Sequence, residues 1–177
     1  MPNPIRPAAL LLLLLSGCTL LPEGMRERLP DLAMPDFSSW FNRENAVEVA
    51  EVRRTQQCRA PDGQTRVQLL GDQAAVQALV AERGLRWDDE AEPLADAPHA
   101  LIDLGRRGTE GYGLAVSRQA GLKDEIFLLK ATVFEPQPGD ELPQSLSSPC
   151  VLVRLPERQY AEIRVINQAG RVLARSR

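Results

Sequence analysis

Histidine is almost missing from this 177-residue chain, with His99 the single example. Lysine is nearly as scarce. Lys123 and Lys130 stand alone, and arginine supplies the rest of the 21 basic side chains, set against 24 acidic ones. No Lys/Arg stripe forms, and an acidic chain without one suits neither nucleic acid nor an anionic membrane surface. One histidine, with no H-E-x-x-H and no G-x-S-x-G, removes the commonest zinc-hydrolase and serine-hydrolase sites. Cysteine is sparse too. Cys18, Cys58 and Cys150 lie too far apart for a zinc cluster or a Cys-x-x-Cys redox pair. The densest carboxylates, Asp88-Asp89-Glu90 with Glu92, lack the D-x-D-x-D-G spacing that wraps calcium and read as a solvated loop. His99, with no second His or Cys near it, reads as a strand-edge residue rather than a ligand or base. These absences point away from an enzyme, and no cofactor, metal or small-molecule substrate is expected. No apolar run reaches the about 20 residues that span a bilayer.

The longest apolar run, Ala8 to Leu15, follows Arg6 and ends in small residues, the layout of a secretory signal peptide. Leu15-Ser16-Gly17-Cys18 resembles the lipobox of bacterial lipoproteins. The resemblance implies cleavage before Cys18, a diacylglycerol on its sulfur and an acyl chain on its nitrogen. One acyl chain binds membranes only marginally, at roughly 0.8 kcal/mol per buried methylene, so two or three hold durably. Thr19 in place of Asp implies, by the same resemblance, an outer-membrane anchor facing the periplasm. Residues 1–17 are thus read as signal peptide, 18–45 as lipidated cysteine and flexible tether, and 46–177 as a single β-rich domain. In an oxidising compartment Cys58 and Cys150 form an even pair, for which a disulfide is the default and two buried free thiols the alternative. The tether holds Pro22, Pro30 and Pro35 and would span on the order of 30 Å as a coil or about 90 Å extended. Phe37, Trp40 and Phe41 interrupt it at helical spacing behind Asp36. That turn packs on its own domain or docks on a partner or the membrane interface.

Within the domain, a first strand is expected from Val47 to Thr55. Ala60-Pro61-Asp62-Gly63 is a turn, after which Arg66 to Leu70 returns antiparallel. Asp72 caps the one convincing helix, Val76, Leu79 and Val80 line its buried face, and Gly84 ends it. Ala100 to Leu104 is a strand. The glycines at 105, 108, 111 and 113 do not open a helix, so they mark a tight hairpin or bulge rather than a phosphate loop. A turn at Gln119 to Leu122 leads to the longest strand, Glu125 to Glu135, whose Ile126-Phe127-Leu128-Leu129 is apolar on both faces as in a central strand. A proline-punctuated connection follows, then Cys150 to Leu155, then a closing hairpin of Glu162 to Ile166 with Arg171 to Ala174. The fold class is α+β: mostly antiparallel β, as a twisted sheet, sandwich or flattened barrel, with one packed helix.

Residues 100–155 also carry a resemblance. Gly108-Thr109-Glu110-Gly111-Tyr112-Gly113, Pro138-Gly139 and Ser148-Pro149-Cys150-Val151-Leu152-Val153 resemble, in order, a T-G-G-Y hairpin, a P-G step and the closing strand of the PrcB C-terminal domain. Glu110 stands where glycine is usual in that family, and Cys150 where an aromatic is common. The resemblance implies a non-catalytic lipoprotein domain that binds or stabilises an exported protease or envelope complex. Thr109-Glu110-Gly111-Tyr112 also resembles one of three loops of chagasin-like protease inhibitors, so inhibition is the alternative. A purely structural envelope lipoprotein is another. Gly111, Tyr112 and Gly113 are the expected contact residues, since a hairpin tip exposes glycine backbone and an aromatic on a rigid base. Equally, Tyr112 could bury its ring beneath the hairpin.

Overall fold

A computed structural model describes residues 37–88 and 93–176. Cys18, the signal peptide, the first part of the tether, and Asp89, Glu90 and Glu92 of the acidic run lie outside the described residues. Among the described residues, two sheets and one α-helix make up the domain. The strands are β1 (Ala46–Glu48), β2 (Ala50–Thr55), β3 (Arg66–Leu70), β4 (His99–Asp103), β5 (Gly113–Lys123), β6 (Ile126–Phe134), β7 (Cys150–Arg154), β8 (Glu162–Ile166) and β9 (Val172–Arg175). The helix α1 is Gln73–Arg83. One sheet has the order β1-β5-β6-β8-β9 and the other β2-β7-β4-β3. All pairings are antiparallel except β6 with β8. This is the expected α+β class, mostly antiparallel with a single packed helix.

Alternation along the strands builds two cores. Ala100, Ile102, Val151 and Val153 point between the sheets and meet Leu114, Phe127, Leu129, Ile163 and Val165. Leu101 and Leu152 point the other way, where Leu70, Val76, Leu79 and Leu85 close over them. The helix is there because its ends are specified. The Asp72 carboxylate accepts from the Ala75 N–H at 2.7 Å, and Gly84 takes the left-handed conformation, φ 59°, that ends a helix at low steric cost.

Four local expectations are corrected. The first strand divides at Val49, where the chain leaves one sheet for the other: β1 pairs β5 and β2 pairs β7. The 60–63 turn does not join a hairpin, because β7 and β4 lie between β2 and β3. The turn expected at 119–122 is strand. The β5–β6 hairpin turns instead at Asp124 and Glu125, both with positive φ (50° and 60°), as a two-residue turn matching strand twist requires. The glycine series after β4 is not a hairpin either, since β4 and β5 belong to different sheets. It is a crossover between layers.

Trp40 and its 3-10 turn, Ser38–Phe41, lie against β5. A Cβ built on Gly121 would stand 2.5 Å from the Trp40 carbonyl oxygen and 2.8 Å from its Cβ, so only glycine admits the turn there. The Lys130 ammonium sits 3.9 Å from the Phe41 ring centroid. Leu128 shares that outer face with Lys130 two residues on and is fully buried.

Candidate functional site

Cys58 and Cys150 are joined in a disulfide, their Cα atoms 5.7 Å apart and 92 positions apart in sequence. Both are buried. The bridge ties the end of β2 to the start of β7, and the chain beside it is knitted further. The Cys58 N–H donates to the Ser148 carbonyl at 2.8 Å, and the Ala60 N–H to the Ser148 hydroxyl at 3.1 Å.

From this staple two loops run side by side, residues 104–112 and 135–149. Leu104 N–H donates to the Pro149 carbonyl at 2.9 Å. Arg107 and Ser147 exchange backbone hydrogen bonds at 2.8 and 3.1 Å. The Ser147 hydroxyl donates to the Thr109 carbonyl at 2.8 Å, the Ser145 hydroxyl to the Glu110 carboxylate, and the Glu110 N–H to the Pro143 carbonyl at 3.4 Å. Gly111 has φ 88°, and a Cβ on it would stand 2.6 Å from Leu142 Cδ1 and 3.2 Å from Pro136 Cγ. The two loops therefore close over a glycine backbone. Such pairing gives a proline-rich connection the satisfied backbone that a rigid surface needs.

Tyr112 is half-buried at this seam, with the Arg107 guanidinium carbon 5.5 Å from its ring centroid. The Arg107 side chain is held from below by the Leu104 carbonyl. Gly113 begins β5, opposite Phe134, whose ring touches it. Phe134 is 52% and Leu146 62% exposed, two of the three large apolar side chains most exposed among the described residues. Gly111, Tyr112 and Gly113 are thus brought together at one pole, beside an aromatic and a leucine that face water. Sequence patterning missed Phe134, Leu146 and Arg107. The available signal was an apolar residue on the exposed end of β6 and another inside a polar, proline-rich stretch.

His99 is not a strand-edge residue. It lies in β4, an inner strand, cross-paired with Leu70 and Arg154, and is fully buried. Neither ring nitrogen has a hydrogen-bond partner among the described residues. Burial pushes its pKa below the ordinary value. The Ala97 carbonyl works weakly against this without meeting hydrogen-bond geometry, and Arg154 adds to the lowering. Asp103, on the same face two pairs along, is buried but meets Arg83 at 3.0 Å. Burial nonetheless raises its pKa, against the Gly105 N–H and Arg83, which lower it. Both groups are parts of the helix–sheet layer. Among the described residues, no group of three or more His, Cys, Asp or Glu is arranged to hold a metal, and no helix is long and apolar enough to cross a membrane.

With this geometry in view, comparison with known families gives one result. Residues 100–156 match the family model of the PrcB C-terminal domain. The match runs from β4 to just past β7, so it contains both knitted loops and the β5–β6 hairpin between them. It leaves out α1, Cys58 and the closing hairpin. Neither the curated proteins nor the solved structures contain a match to this chain.

Proposed function

We propose that the protein is a non-catalytic binding module, held at the outer membrane of a bacterial envelope by lipid on Cys18, that grips an exported protease or another envelope protein. The observation that carries this reading is the pole where residues 104–112 and 135–149 pair. A half-buried tyrosine, an exposed phenylalanine and an exposed leucine stand there on a backbone fixed by hydrogen bonds and a disulfide. Aromatic anchors on rigid loops are the usual material of protein recognition. The matching family segment contains the whole of this pole, and the resemblance to that family suggests the protease complex as the class of partner.

The anchor and the pole also suit one another. The tether enters the domain at Trp40, over Gly121, near the turn of the β5–β6 hairpin. Gly113 and Phe134 lie at the open end of the same hairpin. Gly113 and Gly121 pair with Phe134 and Leu128, so six strand steps separate the two points, about 20 Å at the usual rise. A lipid-held chain would then present the tyrosine pole away from its point of attachment.

Tyr112→Ala tests the assignment. Half-buried and stacked on Arg107, the ring contributes modestly to the fold, and its loss lowers the melting temperature by no more than a few degrees. Capture of the partner from detergent-solubilised envelopes is lost. A large drop in melting temperature with capture intact would make Tyr112 a core residue and refute its role as a contact.

A further inference from the structure

Resting on that reading of the pole as a partner surface, we infer that its arginine rim takes the carboxylates of an acidic, extended segment of the partner protein. Three guanidinium groups there hydrogen-bond to backbone carbonyls, although Arg106 also lies within the field of the Asp62 carboxylate. Arg106 is exposed and donates from Nη2 to the Pro61 carbonyl at 2.9 Å and the Ala60 carbonyl at 3.5 Å. Arg59 is exposed and donates to the Arg83 carbonyl at 3.3 Å. Arg107 donates to the Leu104 carbonyl and lies over Tyr112. None of the three forms an ion pair among the described residues. A carbonyl orients a guanidinium but leaves its charge available for a carboxylate, the stronger partner.

The nearby carboxylates are already engaged. Asp62 pairs with Arg66 and accepts from the Gln64 N–H at 2.8 Å. Asp103 is buried against Arg83 and accepts from the Gly105 N–H at 2.8 Å.

The rim is also stiff. The Arg106 N–H donates to the Asp62 carbonyl at 2.7 Å, and the Thr65 hydroxyl to the Leu104 carbonyl at 3.2 Å. The backbones of Gly63 and Gly105 touch, since a Cβ on Gly105 would lie 2.6 Å from the Gly63 carbonyl carbon.

Sign reverses along the pole. The 135–149 loop runs past Arg107 at Ser147, past Glu110 at Pro143 and past Gly111 at Leu142, and then presents exposed Asp140 and Glu141. A surface basic at one end and acidic at the other repels a uniform polyanion along part of its length. It favours a segment whose acidic residues meet Arg106 while an apolar residue meets Tyr112 and Leu146. Complementary charge of this kind sets register and encounter rate more than raw affinity.

The test uses the full-length, membrane-held chain with a photoreactive residue replacing Leu146, the adduct being mapped by mass spectrometry. Arg106→Glu lowers adduct yield about three- to tenfold, as expected for reversing one exposed pair, while Arg106→Lys retains it and Lys123→Glu, at the closed end of the β5–β6 hairpin, leaves it unchanged. Yield in the parent chain falls as salt is raised and the screening length contracts to about 8 Å; the reversal flattens that dependence, and the mapped peptide contains Asp or Glu. Equal yields from the Arg106→Glu and parent chains, a basic mapped peptide, or a peptide from a second copy of this chain would overturn the inference and leave the pole as a contact surface. Absence of any adduct at Leu146 in the parent chain would instead remove the underlying reading.

Discussion

Replacing Cys58 and Cys150 together by alanine perturbs the staple beneath the knitted loops and has a magnitude that follows from chain length. The bridge closes a loop across 92 positions. In the chain-entropy account, releasing such a loop in the unfolded state costs the fold about 4.6 kcal/mol. For a domain of this size each kcal/mol corresponds to about 2–4 °C, so the melting temperature should drop on the order of 10–18 °C. The assay is thermal or urea unfolding in oxidising and reducing buffer. Reductant should destabilise the parent chain by a similar amount and do nothing further to the double variant. The two sulfurs are bonded to each other, so a thiol reagent should find neither Cys58 nor Cys150 in the unreduced protein. A loss below about 1 kcal/mol, well under the range for loops this long, would refute the entropic reasoning.

Two further outcomes are expected. His99 keeps a lowered pKa when folded, so above its unfolded value of about 6.5 both states are neutral and it has no effect on pH dependence. As pH falls below that value the unfolded chain takes up a proton the native one refuses, and stability declines until the folded pKa is reached. His99→Leu should flatten the stability profile measured by urea unfolding between neutrality and mild acid; an unchanged profile would clear His99 of the effect. Gly121→Val forces a side chain into the Trp40 backbone, and overpacking of this kind costs about 1–3 kcal/mol. Trp40 should become more solvent-exposed, seen as a red shift in tryptophan emission, and an unshifted spectrum would show that the turn does not need the glycine.

The elements legible from sequence are those whose instructions are local. Asp72, the Val76-Leu79-Val80 face and Gly84 specify α1 within a dozen residues, and the Asn167 to Gly170 turn specifies the β8–β9 hairpin. Strand partners were not legible in the same way. β2 finds β7 about 100 residues away, and β6 finds β8 in parallel, choices made by the two-sided burial of β6 and β7 rather than by turns. The Asp124-Glu125 turn was hidden because neither residue is the glycine or asparagine that usually advertises positive φ. The glycine series drew attention to Tyr112 but not to its setting, since glycine serves a crossover as readily as a hairpin. Leu146, Ser145 and Ser147 gain their roles only from pairing with a loop some 35 residues earlier. His99 broke the rule that a polar residue seeks an edge: its strand is interior, and the fold holds it neutral.

The most direct measurement of the central claim compares photoreactive residues placed at the two ends of the domain in living cells. Leu146 and Phe134 stand at the tyrosine pole; Lys123 and Gln159 lie together by the closed end of the β5–β6 hairpin. The account predicts adducts to one reproducible envelope protein from the first two positions and none from the second two. Adducts from Lys123 or Gln159 with silence at Leu146 and Phe134 would contradict it.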